Sequence, residues 1–173
     1  PMEPFDGVQS PGPRTLETGV APEQNLENLH WLMSRFQGYV GVSNFLGAKF
    51  TANEAAFAPV LKEISGRGLI YLDDASSSQS LATSLSSKVG GAVLRADVVI
   101  DAVQKPDAIE AELTKLERLA RQNGGAIGVA AGLPATVEQI ARFARALEKR
   151  GIALAPLSAF ATTRALPTAG KQR

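Results

Sequence analysis

Two aspartates stand where chemistry is most readily built. Asp73 closes the apolar run "LIYLDD" and Asp101 closes "ADVVID", and the carboxyl ends of strands are where α/β folds gather functional groups. Two such carboxylates can hold a divalent cation, or divide into an acid and a base through mutual pKa shifts. The same residues can instead cap the loops that follow them by accepting backbone N–H bonds, and both readings stand for each. A third stretch, "GYVGVSNFLGAKFT" at 38–51, carries Asn44 and Gly47. The amide could orient a substrate hydroxyl and the glycine could let backbone approach a ligand, while plain turn chemistry serves equally well.

Other chemistries are excluded by residue type. There are no cysteines, which removes disulfides, thiolate zinc sites and thiol catalysis. His30 is the single histidine, so a zinc site of three imidazoles cannot be assembled from this chain; it lies in a helical stretch beside Trp31 and reads as a surface or rim residue. Serines cluster in "DDASSSQS", but no GxSxG elbow surrounds them. Neither "GGAIG" nor "GLPAT" forms a dinucleotide or P-loop pattern. Eighteen Lys and Arg against seventeen Asp and Glu give a net charge of +1, which offers no electrostatic reason to expect nucleic acid. No apolar run approaches the ~18 residues of a membrane span.

The positioning elements follow from periodicity. With 173 residues, 45% of them hydrophobic, the chain can build one sizeable core. After an opening rich in Pro and Gly, "PEQNLENLHWLMSRF" reads as a helix with Leu26, Leu29, Met33 and Phe36 on one face. "YVGVSN" reads as a strand, and Thr51 with Glu54 as a capping box opening a helix faced by Phe57, Val60, Leu61 and Ile64. "LIYLDD" and "ADVVID" are the second and third strands, with a weak helix, "SLATSLSSK", between them. Pro106 opens a helix bearing Ile109, Leu113, Leu116 and Ala120, "AIGVAA" is the fourth strand, Thr136 and Gln139 cap a helix, and "IALAPLSAF" is the fifth strand. Apolar strands alternating with helices predict a parallel α/β architecture, for which a doubly wound sheet and a (β/α) barrel both fit.

Several phrases, in order, resemble one family. "PMEPFD", "PGPRTL", "GYVGVSNFLGAKFT", "LIYLDDASSS", "RADVVID", "AIGVAAGLPATVEQI" and "RGIALAPLSA" are similar to the divergent polysaccharide deacetylase family, relatives of the NodB-type deacetylases. The resemblance implies an irregular (β/α) barrel that binds a divalent metal, zinc in the family, and hydrolyses N-acetyl groups of a polysaccharide or oligosaccharide. It implies a cell envelope or periplasmic location. It also implies a single deacetylase-like domain over 1–160, incomplete at its N-terminal side, followed by a flexible tail over 161–173. A barrel lacking its first strands would expose unpaired strand edges, so self-association is expected.

The departures from the family's pattern are as telling. Many members read Asn-Asn-His-Met-Gly-Ser where this chain has Ser43, Asn44, Phe45, Leu46, Gly47 and Ala48, and Gly-His-Pro-His-Pro where it has Ala130, Ala131, Gly132, Leu133 and Pro134. Three imidazoles are thereby replaced, by Phe45, Ala131 and Leu133. What carries over is Glu3, Asn44, Asp73 and Asp101. The expected catalytic residues are Asp73 and Asp101, the substrate-binding residues Glu3, Asn44 and Phe45, and no residue is assigned as a metal ligand. Two readings result: a metal-dependent deacetylase, and a catalytically degenerate barrel that binds glycan or a protein partner without metal. An unrelated α/β ligand-binding domain is a third.

Overall fold

The computed structural model describes residues 1–8 and 10–165. The span expected as a single domain contains two compact units, the first Pro1–Arg95 and the second beginning at Ala96. In the first unit α1 (Pro22–Met33) is followed by β1 (Gly41–Ser43), α2 (Ala48–Thr51), α3 (Glu54–Gly66), β2 (Ile70–Asp73), α4 (Ala82–Val89) and β3 (Val93–Arg95). The second unit runs β4 (Val98–Val99), α5 (Pro106–Asn123), β5 (Gly128–Val129), α6 (Pro134–Leu147), a 3-10 turn at Glu148–Arg150, and α7 (Leu157–Ala165). The class is α/β, as expected. Among the described residues the strands form a three-stranded sheet of order β1-β2-β3 and a two-stranded sheet of β4 and β5, both parallel, and not a closed barrel.

Parallel neighbours require a crossover, and helices supply each one. The core of the first unit gathers on α3, where Phe57, Val60, Leu61 and Ile64 are each no more than 1% exposed, as the 3.6-residue period predicts. Phe50, Tyr71 and Leu85 join them from α2, β2 and α4. In the second unit the core is Val98, Ile100, Ile109 and Leu113, with Leu116, Ile140 and Phe143 packed against it. No described helix is long and apolar enough to cross a membrane.

Four local expectations are corrected. Thr51 does not cap α3, because it ends α2 and its hydroxyl donates to the Gly47 carbonyl at 2.8 Å; Asn53 takes the cap instead, its side chain accepting from Ala56 N at 3.0 Å. Thr136 does not cap its helix either. Pro134 opens α6, needing no N–H partner there, which places Thr136 inside the first turn. Phe36 leaves the face of α1, since that helix ends at Met33, and is 76% exposed. The fifth strand is absent: the Pro156 carbonyl accepts from Ala159 N and Phe160 N and so starts α7. That helix is tight against its unit, for a Cβ on Gly125 would collide with the Phe160 ring. It also takes in 161–165 of the expected tail, whose remainder, 166–173, lies outside the described residues.

Candidate functional site

The carboxyl edge of the three-stranded sheet gathers the polar residues of the first unit. Side chains two apart on a strand share a face, so Tyr71 and Asp73 are buried on one side of β2 while Ile70 and Leu72 are only half-buried. The parallel register pairs Asp73 with Arg95, and the two meet across the strands: Arg95 Nη1 donates to Asp73 Oδ2 at 2.6 Å. Arg95 Nη2 donates to the Ser77 carbonyl at 2.8 Å, and Asp73 Oδ1 accepts from Ala75 N at 2.8 Å. Both oxygens of this 1% exposed carboxylate are thereby engaged.

Asn44 follows β1 and joins the same network. Its Oδ1 accepts from Asp74 N at 3.0 Å and from the Tyr71 hydroxyl at 3.3 Å, and its Nδ2 donates to the Leu46 carbonyl at 2.9 Å. Burial, then the charges of Asp73 and Asp74, raises the Tyr71 hydroxyl well above its ordinary pKa, so it stays a neutral donor. Beyond Asn44 the backbone turns through two left-handed residues, Leu46 at φ 58° and Gly47 at φ 95°. A side chain on Gly47 is barred twice: by that φ, and because a Cβ would sit 2.5 Å from the Cβ of Met2. Phe45, at the tip, is 59% exposed.

Glu3 is built into this loop from the chain's first residues. Met2 N donates to the Phe45 carbonyl at 3.0 Å, and the Glu3 carbonyl accepts from Lys49 N and Phe50 N at 3.2 and 3.1 Å. Its carboxylate takes Lys49 Nζ at 2.6 Å and both the N–H and hydroxyl of Thr18 at 2.7 Å. Burial pushes this carboxyl up, but the bonds from Lys49 and Thr18 and the ammonium charge outweigh it and hold the pKa at about 2, against an ordinary 4.5. A depressed carboxyl stabilises the fold above its unfolded value and ceases to do so as pH falls through its folded one. The Glu3 clamp is therefore expected to open between pH 4.5 and about 2. The Thr18 amide resonance should titrate with a midpoint near the lower value; a midpoint near 4.5 would mean that the clamp does not form.

Asp101 belongs to the second unit. It accepts from Ala131 N, at 3.1 Å to Oδ1 and 2.9 Å to Oδ2, and Oδ2 also takes the Thr136 hydroxyl at 3.0 Å. It thus ties the end of β4 to the segment after β5 and to the first turn of α6. His30, exposed on α1, reaches Glu63 Oε1 at 2.7 Å. Arg67 shares that carboxylate and, ahead of His30, holds the Glu63 pKa below its ordinary value.

The structure thus brings Glu3, Asn44, Phe45 and Asp73 into one unit through linked loops, and places Asp101 in the other. The donor set does not fit a divalent cation by itself. Asp73 faces a guanidinium, Asp101 is filled by an amide and a hydroxyl, and among the described residues no three His, Cys, Asp or Glu side chains converge to hold a metal. The bonds that Arg95, Lys49, Thr18 and Thr136 make to these carboxylates left no mark in the sequence, because each residue meets its partner from a distant position. Asn25 and Asn28 left a fainter signal, two amides inside a helix where asparagine is a poor former.

The model of the family described as divergent polysaccharide deacetylase matches residues 1–161. The uncharacterized protein YibQ of Escherichia coli (strain K12) is 29% identical over 98 residues, covering 57% of this chain and 31% of that protein. The crystal structure of the uncharacterized protein ATU2773 from Agrobacterium tumefaciens C58 superposes with a TM-score of 0.89 at 38% identity, over 92% of this chain and 65% of that one. The chain thus spans about a third of the one relative and just under two thirds of the other. With the family's model covering all but its last residues, the chain belongs to the divergent polysaccharide deacetylase family.

Proposed function

We propose that the protein acts on an N-acetylated polysaccharide of the cell envelope, hydrolysing its N-acetyl groups. The observation that supports this reading is the family match over residues 1–161, which takes in every element bearing Glu3, Asn44, Phe45, Asp73 and Asp101. In this reading the candidate catalytic carboxylates are Asp73 and Asp101, each within its own unit. Glu3 and Asn44 shape the loop that meets the sugar, and the exposed Phe45 ring stacks on a pyranose face. The barrel architecture over 1–160 and self-association through open strand edges belong to the same proposal. Any divalent cation the reaction uses would need donors beyond those these two carboxylates offer.

A specific observation favours a second reading, glycan or partner binding without metal: both strand-end aspartates are already held by internal donors. One experiment separates the two. The protein is loaded with zinc, manganese or nickel, or treated with chelator, and incubated with chitotetraose. Acetate release that requires the metal and drops at least ~100-fold in Asp73→Asn supports hydrolysis, that being the usual scale for losing a general acid or base. Equal saccharide binding with and without chelator, and no acetate, supports the second reading.

A further inference from the structure

The first unit contains a cavity of about 720 Å³ that neither Asn44 nor Asp73 lines, a volume within the range of small-molecule sites. Its walls come from the segment that opens the chain and from α1. The part of the wall that rests on α1 is held in place. Asn25, 1% exposed, accepts from Glu17 N and donates to the Glu17 carbonyl, both at 2.9 Å. Asn28, one turn on, donates to the Thr15 carbonyl at 3.3 Å. Glu3 fixes Lys49 and Thr18 beside them. A wall segment that needs no ordering on binding keeps more of its contact energy as affinity.

Arg14 is the unusual residue of this wall. It holds a left-handed backbone, φ 61°, which side-chain-bearing residues adopt at a cost and which persists where surroundings enforce it. Its guanidinium donates to the Asn28 amide at 3.3 Å and lies 5.7 Å from the Trp31 ring centroid. Among the described residues it makes no ion pair, so its remaining donors are open to a ligand. Across the lining stand the acceptors Asp6 and Glu17, the donors Arg14 and Lys49, and Phe5, a 63% exposed ring.

This mixture selects a ligand class. Three carboxylates, counting Glu3, against two cations disfavour a polyanion, and the dense polar lining disfavours a lipid or an aromatic metabolite. A sugar hydroxyl both donates and accepts, so it satisfies carboxylate and guanidinium alike, and a pyranose presents a C–H face to a phenyl ring. We propose that this cavity is a binding site for a neutral oligosaccharide, distinct from the strand-end aspartates and anchored by Phe5, Arg14 and Glu17. It rests on the polysaccharide reading above and adds to it a place where the chain of sugars is gripped away from the acetyl group.

The test is calorimetric titration of the protein with neutral tetrasaccharides (chitotetraose, cellotetraose and maltotetraose) and with tetragalacturonate as the acidic counterpart. Phe5→Ala and Arg14→Gly are titrated beside it, and unfolding is followed for all three. Arg14→Gly removes the guanidinium while relieving the left-handed strain, so it should remain folded. The expected result is binding of at least one neutral tetrasaccharide, weakened tenfold or more in both variants with no loss of melting temperature. Binding that both variants retain in full, tighter binding of tetragalacturonate, or no binding of any neutral probe overturns the cavity assignment. Acetate release in the previous experiment is independent of these outcomes, so the hydrolytic reading survives or falls separately.

Discussion

Arg95→Ala is expected to destabilise the first unit by about 3 kcal/mol, the lower end of the range for removing one partner of a buried ion pair. The lower end applies because the Arg95 side chain is 34% exposed, while that of Asp73 is 2% exposed and is left as a charge without its counterion. Arg95 also holds the Ser77 carbonyl, so the loop from 74 to 80 should loosen together with the fold. Denaturant unfolding of the single variants and of Asp73→Asn/Arg95→Met forms a thermodynamic cycle. The double variant should recover a large part of the loss, since it leaves no buried charge. A cost below about 1 kcal/mol for Arg95→Ala would place the pair among solvated ion pairs and defeat this account.

Phe57→Ala should be worse still, at about 3–5 kcal/mol, the usual range for emptying a buried phenyl site. Phe57 is fully buried at the centre of an aromatic chain. Its ring meets Phe50 edge-on at 6.0 Å and 69°, and Tyr71 at 5.5 Å and 65°. Tyr71 in turn donates to Asn44, so the cavity would reach the strand-end network from below. Besides the loss in unfolding free energy, the Tyr71 ring signals should broaden as the ring gains freedom. A loss under about 1.5 kcal/mol, the scale of a volume-conserving swap, would show that neighbours collapse into the space.

The helices of this fold were legible because apolar residues at helical spacing leave few alternatives. The face of α3 is the clearest case, every residue read from its period being buried. Strands of two to four residues carry less information. "ADVVID" reads as the third strand, yet the third strand is Val93–Arg95 just before it, which pairs with β2, while Val98–Val99 inside it is a fourth that pairs with β5, so the chain passes from one sheet to the other within a few residues. No local pattern marks that division. Residues 152–160 are apolar enough for a strand, and only the turn that begins at Pro156 makes part of them helical.

The site was legible in position but not in wiring. Strand ends located Asn44, Asp73 and Asp101, and the rule that functional groups collect there needs only the order of elements. What each side chain holds depends on residues far along the chain. Arg95 lies 22 residues from Asp73, Thr136 lies 35 from Asp101, and Lys49 lies 46 from Glu3. Spacing within a single element cannot reveal such pairs, which come from the register of the sheet and the path of the loops.

The loops at these strand ends hang from side chains and not from ladder bonds. Asn44 receives the N–H of Asp74, Asp73 that of Ala75 and Asp101 that of Ala131. In each case the anchored partner is a backbone group, which every residue type except proline supplies. The anchors are therefore indifferent to the side chain at 74 and 131, whereas the left-handed backbone of Ala75, φ 60°, restricts position 75. A substitution at 74 or 131 can alter the chemistry displayed to solvent while the loop geometry stays fixed, so this scaffold can change what those loop positions present without being rebuilt.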